Sequence, residues 1–248
     1  GLAIGIAAAL IIFMIIRFET SFDTQQPNYK NIYRIVTQTD YSTGVQYNSG
    51  VSTGVPDALR AAFPQMEKVA ALQAIQGSQF SASRNSPGKI DNIKEDPSQN
   101  TFREDAGAYF IEPAWFDLFH QKWLSGSPAQ LTAPNVAVLD KSTAEKYFGT
   151  WQKALGQLLT LDNKYPLRIV GILNNAPANT DFPLRIVVSF ETLRQHPEDY
   201  SYVKNDWSGM SGQHQVFVQL PPNTSPEAIS TRLKAFSKDH FGNQVIKV

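Results

Sequence analysis

Gly1-Leu-Ala-Ile-Gly-Ile-Ala-Ala-Ala-Leu-Ile-Ile-Phe-Met-Ile-Ile16 has no charged or polar side chain, and all 22 basic and 22 acidic residues lie beyond it. That asymmetry decides the architecture: an apolar helix that leads into a polar, water-facing domain. At roughly 1.5 Å per residue the run reaches about 24 Å, short of the roughly 30 Å hydrocarbon core of a bilayer. It starts at a Gly without a basic flank, so it reads as the outer part of a transmembrane helix that continues on its N-terminal side. A secretory signal would end in a small-x-small cleavage site, but Ile15-Ile16-Arg17-Phe18-Glu19 stands there instead. A buried core helix would show a polar stripe, and this run has none. Gly1, Gly5 and Ala9 recur every fourth residue and make one face small. Such a face lets another transmembrane helix approach closely; equally, small residues are common in such helices.

Outward from this segment, the domain is formally neutral and has no block of like charge. Nucleic-acid binding needs a basic stripe, and a polybasic lipid patch needs clustered Lys and Arg. Both are excluded. There is no cysteine, which removes disulfides, thiol chemistry and Cys-ligated zinc, and is compatible with a bacterial extracytoplasmic space. The length suits one large domain or two small ones.

The patterning is mixed α+β. Arg17 to Asn28 is a polar exit from the membrane. Asn31 to Thr39, rich in β-branched and aromatic residues, reads as a strand, and Val45 to Tyr47 as another after a turn at Gly44. Pro56 to Phe63 reads as a short helix stopped by Pro64. Val69 to Phe80 reads as one strand, Ser81 to Gln99 as an exposed turn or hairpin tip, and Thr101 to Ile111 as two short strands around Gly107. Further strands are expected at 136–139, 158–161, 167–173, 185–190 and 214–220, with a turn at Asp162-Asn163. Ser142 to Phe148 is a helix closed by Gly149. Residues 194–213 read as a long surface loop. The clearest helix is Ser225 to Phe241, with Ser225 as its cap, Pro226 at its first position, a face of Ile229, Leu233 and Phe236, and Gly242 at its end.

No phosphate-cradling Gly-x-x-x-x-Gly-Lys loop and no Gly-x-Ser-x-Gly elbow is present. The four histidines, His120, His196, His214 and His240, are scattered without metal-ligand spacing and read as surface or interface residues. Glu95-Asp96, Glu104-Asp105 and Glu198-Asp199 are adjacent pairs, which point to opposite faces in a strand and read as solvated. Tyr109, Phe110, Trp115, Phe116, Phe119 and Trp123 read as core in preference to an apolar ligand pocket. Trp151 and Trp207, isolated in polar loops, are candidate interface aromatics.

Three stretches resemble one family. They are the apolar helix running into Arg17-Phe-Glu-Thr-Ser-Phe-Asp23 and Asn31-Ile-Tyr-Arg-Ile-Val36; Ala108-Tyr-Phe-Ile-Glu-Pro-Ala-Trp-Phe-Asp-Leu-Phe119 with Leu124-Ser-Gly126; and Val136-Ala-Val-Leu-Asp-Lys-Ser-Thr-Ala-Glu-Lys-Tyr-Phe-Gly149. Ala154-Leu-Gly156, Leu167 to Leu173 and Asn179-Thr-Asp-Phe-Pro183 follow in the same order. Together they resemble an ABC-transporter permease of the MacB/FtsX-like class, over essentially the whole chain. Thr150-Trp-Gln-Lys-Ala-Leu-Gly156 departs from the family's Asp-Pro-hydrophobic-Gly run.

The resemblance implies a fold: a MacB-like periplasmic core domain in which a porter-like α/β subdomain carries an inserted mostly-β subdomain. The expected boundaries are 1–23 for the transmembrane helix and its exit, 24–111 and 191–248 for the porter-like part, and 112–190 for the insertion. It also implies an inner-membrane permease with residues after about 17 in the periplasm, no catalysis and no cofactor of its own. Implied partners are the bilayer, a cytosolic ABC ATPase and a second permease copy or homologue. ATP-driven helix motion would pass outward through Arg17 to Asn28 to export or extract a substrate. The rival reading is the ligand-binding extracellular sensor domain of a membrane-anchored receptor, which calls for an apolar pocket with a few convergent polar groups.

Overall fold

The computed structural model describes residues 1–83, 99–241 and 244–247. Helix α1, Leu2–Glu19, extends past the apolar run through Arg17 and Glu19. Its 18 residues span about 27 Å at roughly 1.5 Å each, close to the hydrocarbon thickness. None of its residues is buried, so nothing in the domain covers its aliphatic surface. It ends where the Thr20 hydroxyl and amide both return to the carbonyl of Ile16, a side-chain bond that competes with further helix.

The remaining elements, in chain order, are β1 (Ile32–Tyr41), β2 (Gly44–Asn48), α2 (Val55–Ala62), β3 (Lys68–Ile75), β4 (Ser78–Ser83), β5 (Gln99–Glu104) and β6 (Ala108–Ile111). Next come α3 (Trp115–Leu118), β7 (Trp123–Ser125), β8 (Val136–Asp140), α4 (Lys141–Phe148), α5 (Trp151–Ala154) and β9 (Leu158–Leu161). The last are β10 (Tyr165–Leu173), β11 (Ile186–Ser189), α6 (Phe190–Gln195), β12 (His214–Gln219), α7 (Pro226–His240) and β13 (Gln244–Lys247). The fold is therefore α+β, as the patterning predicts.

All strands join one hydrogen-bonded path, β13-β1-β12-β3-β6-β11-β8-β10-β9-β4-β5, with β2 added on β1 and β7 on β10. Val69 to Phe80 is not one strand. Gly77, at φ 67, breaks it into β3 and β4, and five strands separate those two halves along the path. Yet the three residue steps from Ile75 to Ser78 cover at most about 11 Å. The sheet must curl so that its far end returns beside β3. The β4–β5 hairpin thus pairs with β9, although it precedes residue 112 in sequence. The expected hairpin tip falls largely on residues 84–98, outside the described residues, as do Glu95-Asp96 and the expected helix end at Gly242.

The sheet separates two cores. On one face α2, α4, α6 and α7 cover Ile35, Leu59, Phe80, Phe110, Tyr147, Phe190 and Leu233. On the other, α3 and its flanking loops bury Leu72, Ile111, Trp115, Phe119, Leu184 and Phe217. The aromatic group expected as core is core, but Phe110 lies on the first face and Trp115, Phe116 and Phe119 on the second. Local signals hold where they are strongest. In the three-residue connection between β9 and β10, Asp162 and Asn163 adopt φ 51 and 54, the left-handed pair at the centre of a turn that the Lys164 amide closes on the Leu161 carbonyl at 3.0 Å. Ser225 accepts the Ala228 amide to cap α7. Asp140 accepts the Thr143 amide at 2.7 Å and caps α4. The segment that departs from the family run forms α5.

Candidate functional site

At the C-terminal end of α1, the segment that follows is fastened to a loop more than 150 residues away in sequence. Asp23 sits at φ 53, a left-handed conformation that Asp tolerates. There its amide donates to the Asn179 carbonyl at 3.1 Å. Its carboxylate accepts the Thr180 hydroxyl at 2.6 Å and the Asp181 amide at 3.0 Å. Asn179 returns the grip: its amide Nδ2 donates to the Ser21 carbonyl and to Ser21 Oγ, both at 3.0 Å. One turn on, Gln26 is buried, and its Oε1 accepts the His120 amide at 2.8 Å. The connector therefore touches the loop between α3 and β7 and the loop between β10 and β11. These contacts form a clasp of neutral donors around a half-buried carboxylate, with no cation in it.

Beneath the clasp lies an aromatic wall. Trp115 stacks on Phe119 at 4.3 Å between centroids, and Phe182 and Phe217 meet Trp115 edge-on at 5.0 and 5.1 Å. Offset and edge-on contacts are the favourable aromatic geometries. Phe22, next to Asp23, faces Phe18 of α1 at 5.4 Å. Between wall and connector is a cavity of about 190 Å³, lined by Phe22, Phe119, Phe182 and Phe217 with Tyr29, Ile32, Arg34, Asp23 and Gln26.

A second cavity, of about 180 Å³, lies on the other face beside Gln73, Tyr200, Asp206, Met210, Ser211 and His214. His214 is buried, and neither ring nitrogen has a hydrogen-bond partner among the described residues. Burial, aided by the Arg194 charge, pulls its pKa down to about 4, so the imidazole is neutral near neutral pH. Burial also raises the phenol of Tyr200. The expectation of a surface histidine fails for His214, because β12 places it opposite Gln73 in the sheet interior. His120 and His240 are exposed. His240 stacks on Trp207 at 4.1 Å, and His196 lies against Tyr165 at 4.2 Å.

Of the acidic pairs among the described residues, Asp105, Glu198 and Asp199 are exposed as expected, and Glu104 alone departs. Glu104 is buried, and its Oε1 accepts from Lys146 Nζ at 2.6 Å and the Tyr147 hydroxyl at 2.8 Å. Burial and that carboxylate push the Tyr147 pKa well up. Asp199 accepts from Lys164 at 2.7 Å and also from the Tyr165 hydroxyl. A buried carboxylate that the sequence did not single out, Glu112, binds Arg60, Arg194 at 2.7 Å and the Ala71 amide at 2.9 Å. It ties α2, α6 and β3 together. Among the described residues no three His, Cys, Asp or Glu side chains gather to hold a metal ion.

Gly1, Gly5 and Ala9 are exposed along α1, and a Cβ added at Gly1 or Gly5 meets nothing. Trp151 and Trp207 are half-buried and packed on the first core. Trp207 also lies where a side chain at Gly54 would stand, 2.7 Å from the position of such a Cβ. Sequence reading missed Asp23, although the family-like loop Asn179 to Pro183 that grips it was in view. A lone Asp in a polar connector gives no sign of a partner so far along the chain.

The family model described as MacB-like periplasmic core domain matches residues 1–236. Two solved structures are similar in fold. One is a domain assigned to a permease protein from Porphyromonas gingivalis, 20% identical, with a TM-score of 0.67 over 90% of this chain and 92% of that one. The other is the periplasmic region of MacB from Actinobacillus actinomycetemcomitans, 14% identical, with a TM-score of 0.56 over 89% of this chain and 91% of that one. No curated protein matches.

Proposed function

The chain belongs to the MacB-like periplasmic core domain family, and from that premise we propose that it is a non-catalytic coupling part of an ABC transporter permease. In this reading α1 lies in the inner membrane and the residues after about 17 lie in the periplasm. A cytosolic ABC ATPase hydrolyses ATP, and the resulting helix movement passes through the connector into the domain. A second permease copy or homologue supplies the opposing domain, so that the two close and open on a substrate. The small face of Gly1, Gly5 and Ala9 is proposed to pack on another transmembrane helix, and Trp151 and Trp207 to border the contact between domains. We also propose that 112–190 forms a subdomain of this body, with the β4–β5 hairpin added to its sheet.

The observation that carries this reading is the Asp23 clasp. A helix transmits displacement only to what it is fastened to, and here a polar exit segment grips the Asn179–Asp181 loop from both sides. Rigid-body motion then needs no active-site chemistry. The described cavities weigh against the sensor reading. At about 180 and 190 Å³ they fall below the roughly 300–1,000 Å³ of typical small-molecule sites.

The test uses full-length permease with its ATPase in lipid nanodiscs, spin-labelled through Asn223→Cys on both copies. ATP with vanadate is expected to shift the distance between labels. Asp23→Ala with Thr180→Ala is expected to leave ATP hydrolysis running and to abolish the shift. An unchanged shift in that variant would sink the clasp as transmitter.

A further inference from the structure

The cavity under the clasp has a floor of phenyl rings, one cation and one carboxylate. Arg34 stands directly across the β1–β12 pair from Phe217, on the face of the sheet that carries Ile32, and opposite the face of Ile35. It is exposed and forms no hydrogen bond or ion pair among the described residues. Asp23, on the connector side, accepts one bond from the clasp at each carboxylate oxygen, and each oxygen keeps a lone pair for a further donor. Phe22, Phe182 and Phe217 line the space between them.

Two facts select the occupant. The first is height. Phe22 is three residues past Glu19, the last residue of α1, about one helical turn or 5 Å beyond it. The headgroup zone is about 5–8 Å deep on each side of a bilayer. The groove therefore opens at headgroup level. The second is size. About 190 Å³ is too little for a whole drug-sized molecule. It suits one end of a molecule whose remainder lies elsewhere, and the adjoining leaflet supplies such molecules.

We propose that the groove between the connector and β1–β12 binds the headgroup end of a zwitterionic phospholipid. Its phosphate pairs with Arg34, its ammonium faces Asp23, and its first acyl segments lie on Phe22, Phe182 and Phe217. One cation and one carboxylate match a zwitterion, whereas an anionic lipid would leave Asp23 opposed by like charge. The lipid would bridge connector and sheet, so occupancy would stiffen the clasp. The inference rests on α1 being a membrane helix but not on ATP coupling.

The experiment inserts the chain through α1 into vesicles of phosphatidylethanolamine with phosphatidylcholine, or of phosphatidylglycerol with phosphatidylcholine. Tyr29→p-benzoylphenylalanine, at the exposed lip, is the photoprobe, and Tyr47→p-benzoylphenylalanine on β2 is the distal control. The expected result is a phosphatidylethanolamine adduct at Tyr29, weaker labelling by phosphatidylglycerol, and none at Tyr47. Arg34→Glu should cut the yield about tenfold or more, the factor expected for losing one hydrogen bond to a charged group. Soluble phosphoethanolamine, which has the headgroup without the chains, should not displace the lipid. Equal labelling at Tyr29 and Tyr47, indifference to Arg34→Glu, or a phosphatidylglycerol yield at or above that of phosphatidylethanolamine would overturn the proposal. Flotation after an alkaline wash separates the two layers of the argument. Vesicles that float without the protein overturn the membrane reading and this inference together, whereas floating protein without an adduct overturns this inference alone.

Discussion

Glu112 and Asp23 are both carboxylates held by several donors from distant parts of the chain, yet they do opposite work. Glu112 is 6% exposed and bound by two guanidinium groups and a backbone amide in the interior of the domain. Asp23 is half-buried at the domain's edge and bound by a hydroxyl and an amide, with no cation. Removing one partner of a buried ionic node strands charge in low dielectric. Opening a half-exposed neutral clasp exchanges its donors for water at little net cost. The first fastens the body of the domain strongly, and the second fastens the joint to α1 weakly.

The strongest way to break this comparison is Glu112→Ala. Arg60 and Arg194 keep Asp57 and Glu191 as partners and are partly exposed, so losing their shared carboxylate should cost about 3 kcal/mol, read as a lowered urea midpoint of the chain in detergent micelles. A loss below about 1 kcal/mol would make Glu112 no more a rigid node than Asp23. Next is acid. The folded pKa of His214, about 4, lies below its usual 6.5, so its contribution is complete above pH 6.5 and is lost as pH falls toward 4. The loss should total about 3 kcal/mol. His214→Leu should flatten the stability profile across that window, and an equally steep profile would place the acid sensitivity elsewhere in the body.

A smaller effect is expected at the joint. Asp23→Ala should cost about 1 kcal/mol or less in global unfolding, because water replaces the lost bonds. Amide exchange at residues 21–26 should nonetheless rise about tenfold, the local opening expected of a low-stability element. A global loss equal to that of Glu112→Ala would erase the distinction between body and joint. The smallest effect sharpens it: Asp23→Ala and Glu112→Ala combined should add within about 0.5 kcal/mol, since the two groups share no partner. Stronger coupling would mean that the joint and the interior open together.

How far the sequence carried depended on how local each signal was. The Asp162-Asn163 turn, the Ser225 cap and the Gly107 break are written in adjacent residues and stand where expected. Val69 to Phe80 misled because its apolar pattern runs on through Gly77, and only the tertiary path shows two strands lying in different parts of the sheet. From the sequence Glu104 reads as solvated, because an adjacent acidic pair normally is. It is buried because Lys146 and Tyr147 of α4 reach it from 42 and 43 residues on.

By itself the sequence determined a charge-free apolar helix, a neutral cysteine-free domain of mixed α and β elements, and the ordered stretches that mark the family. These follow from composition and from periodicities of two and 3.6 residues, which each segment carries alone. Only the tertiary structure decided that the sheet curls back on itself, that Glu112 joins three elements, that His214 is buried, and that Asp23 grips the 179–181 loop. A polar side chain states its need for a partner but not which partner. That choice is made by whatever the folded chain brings within about 3 Å.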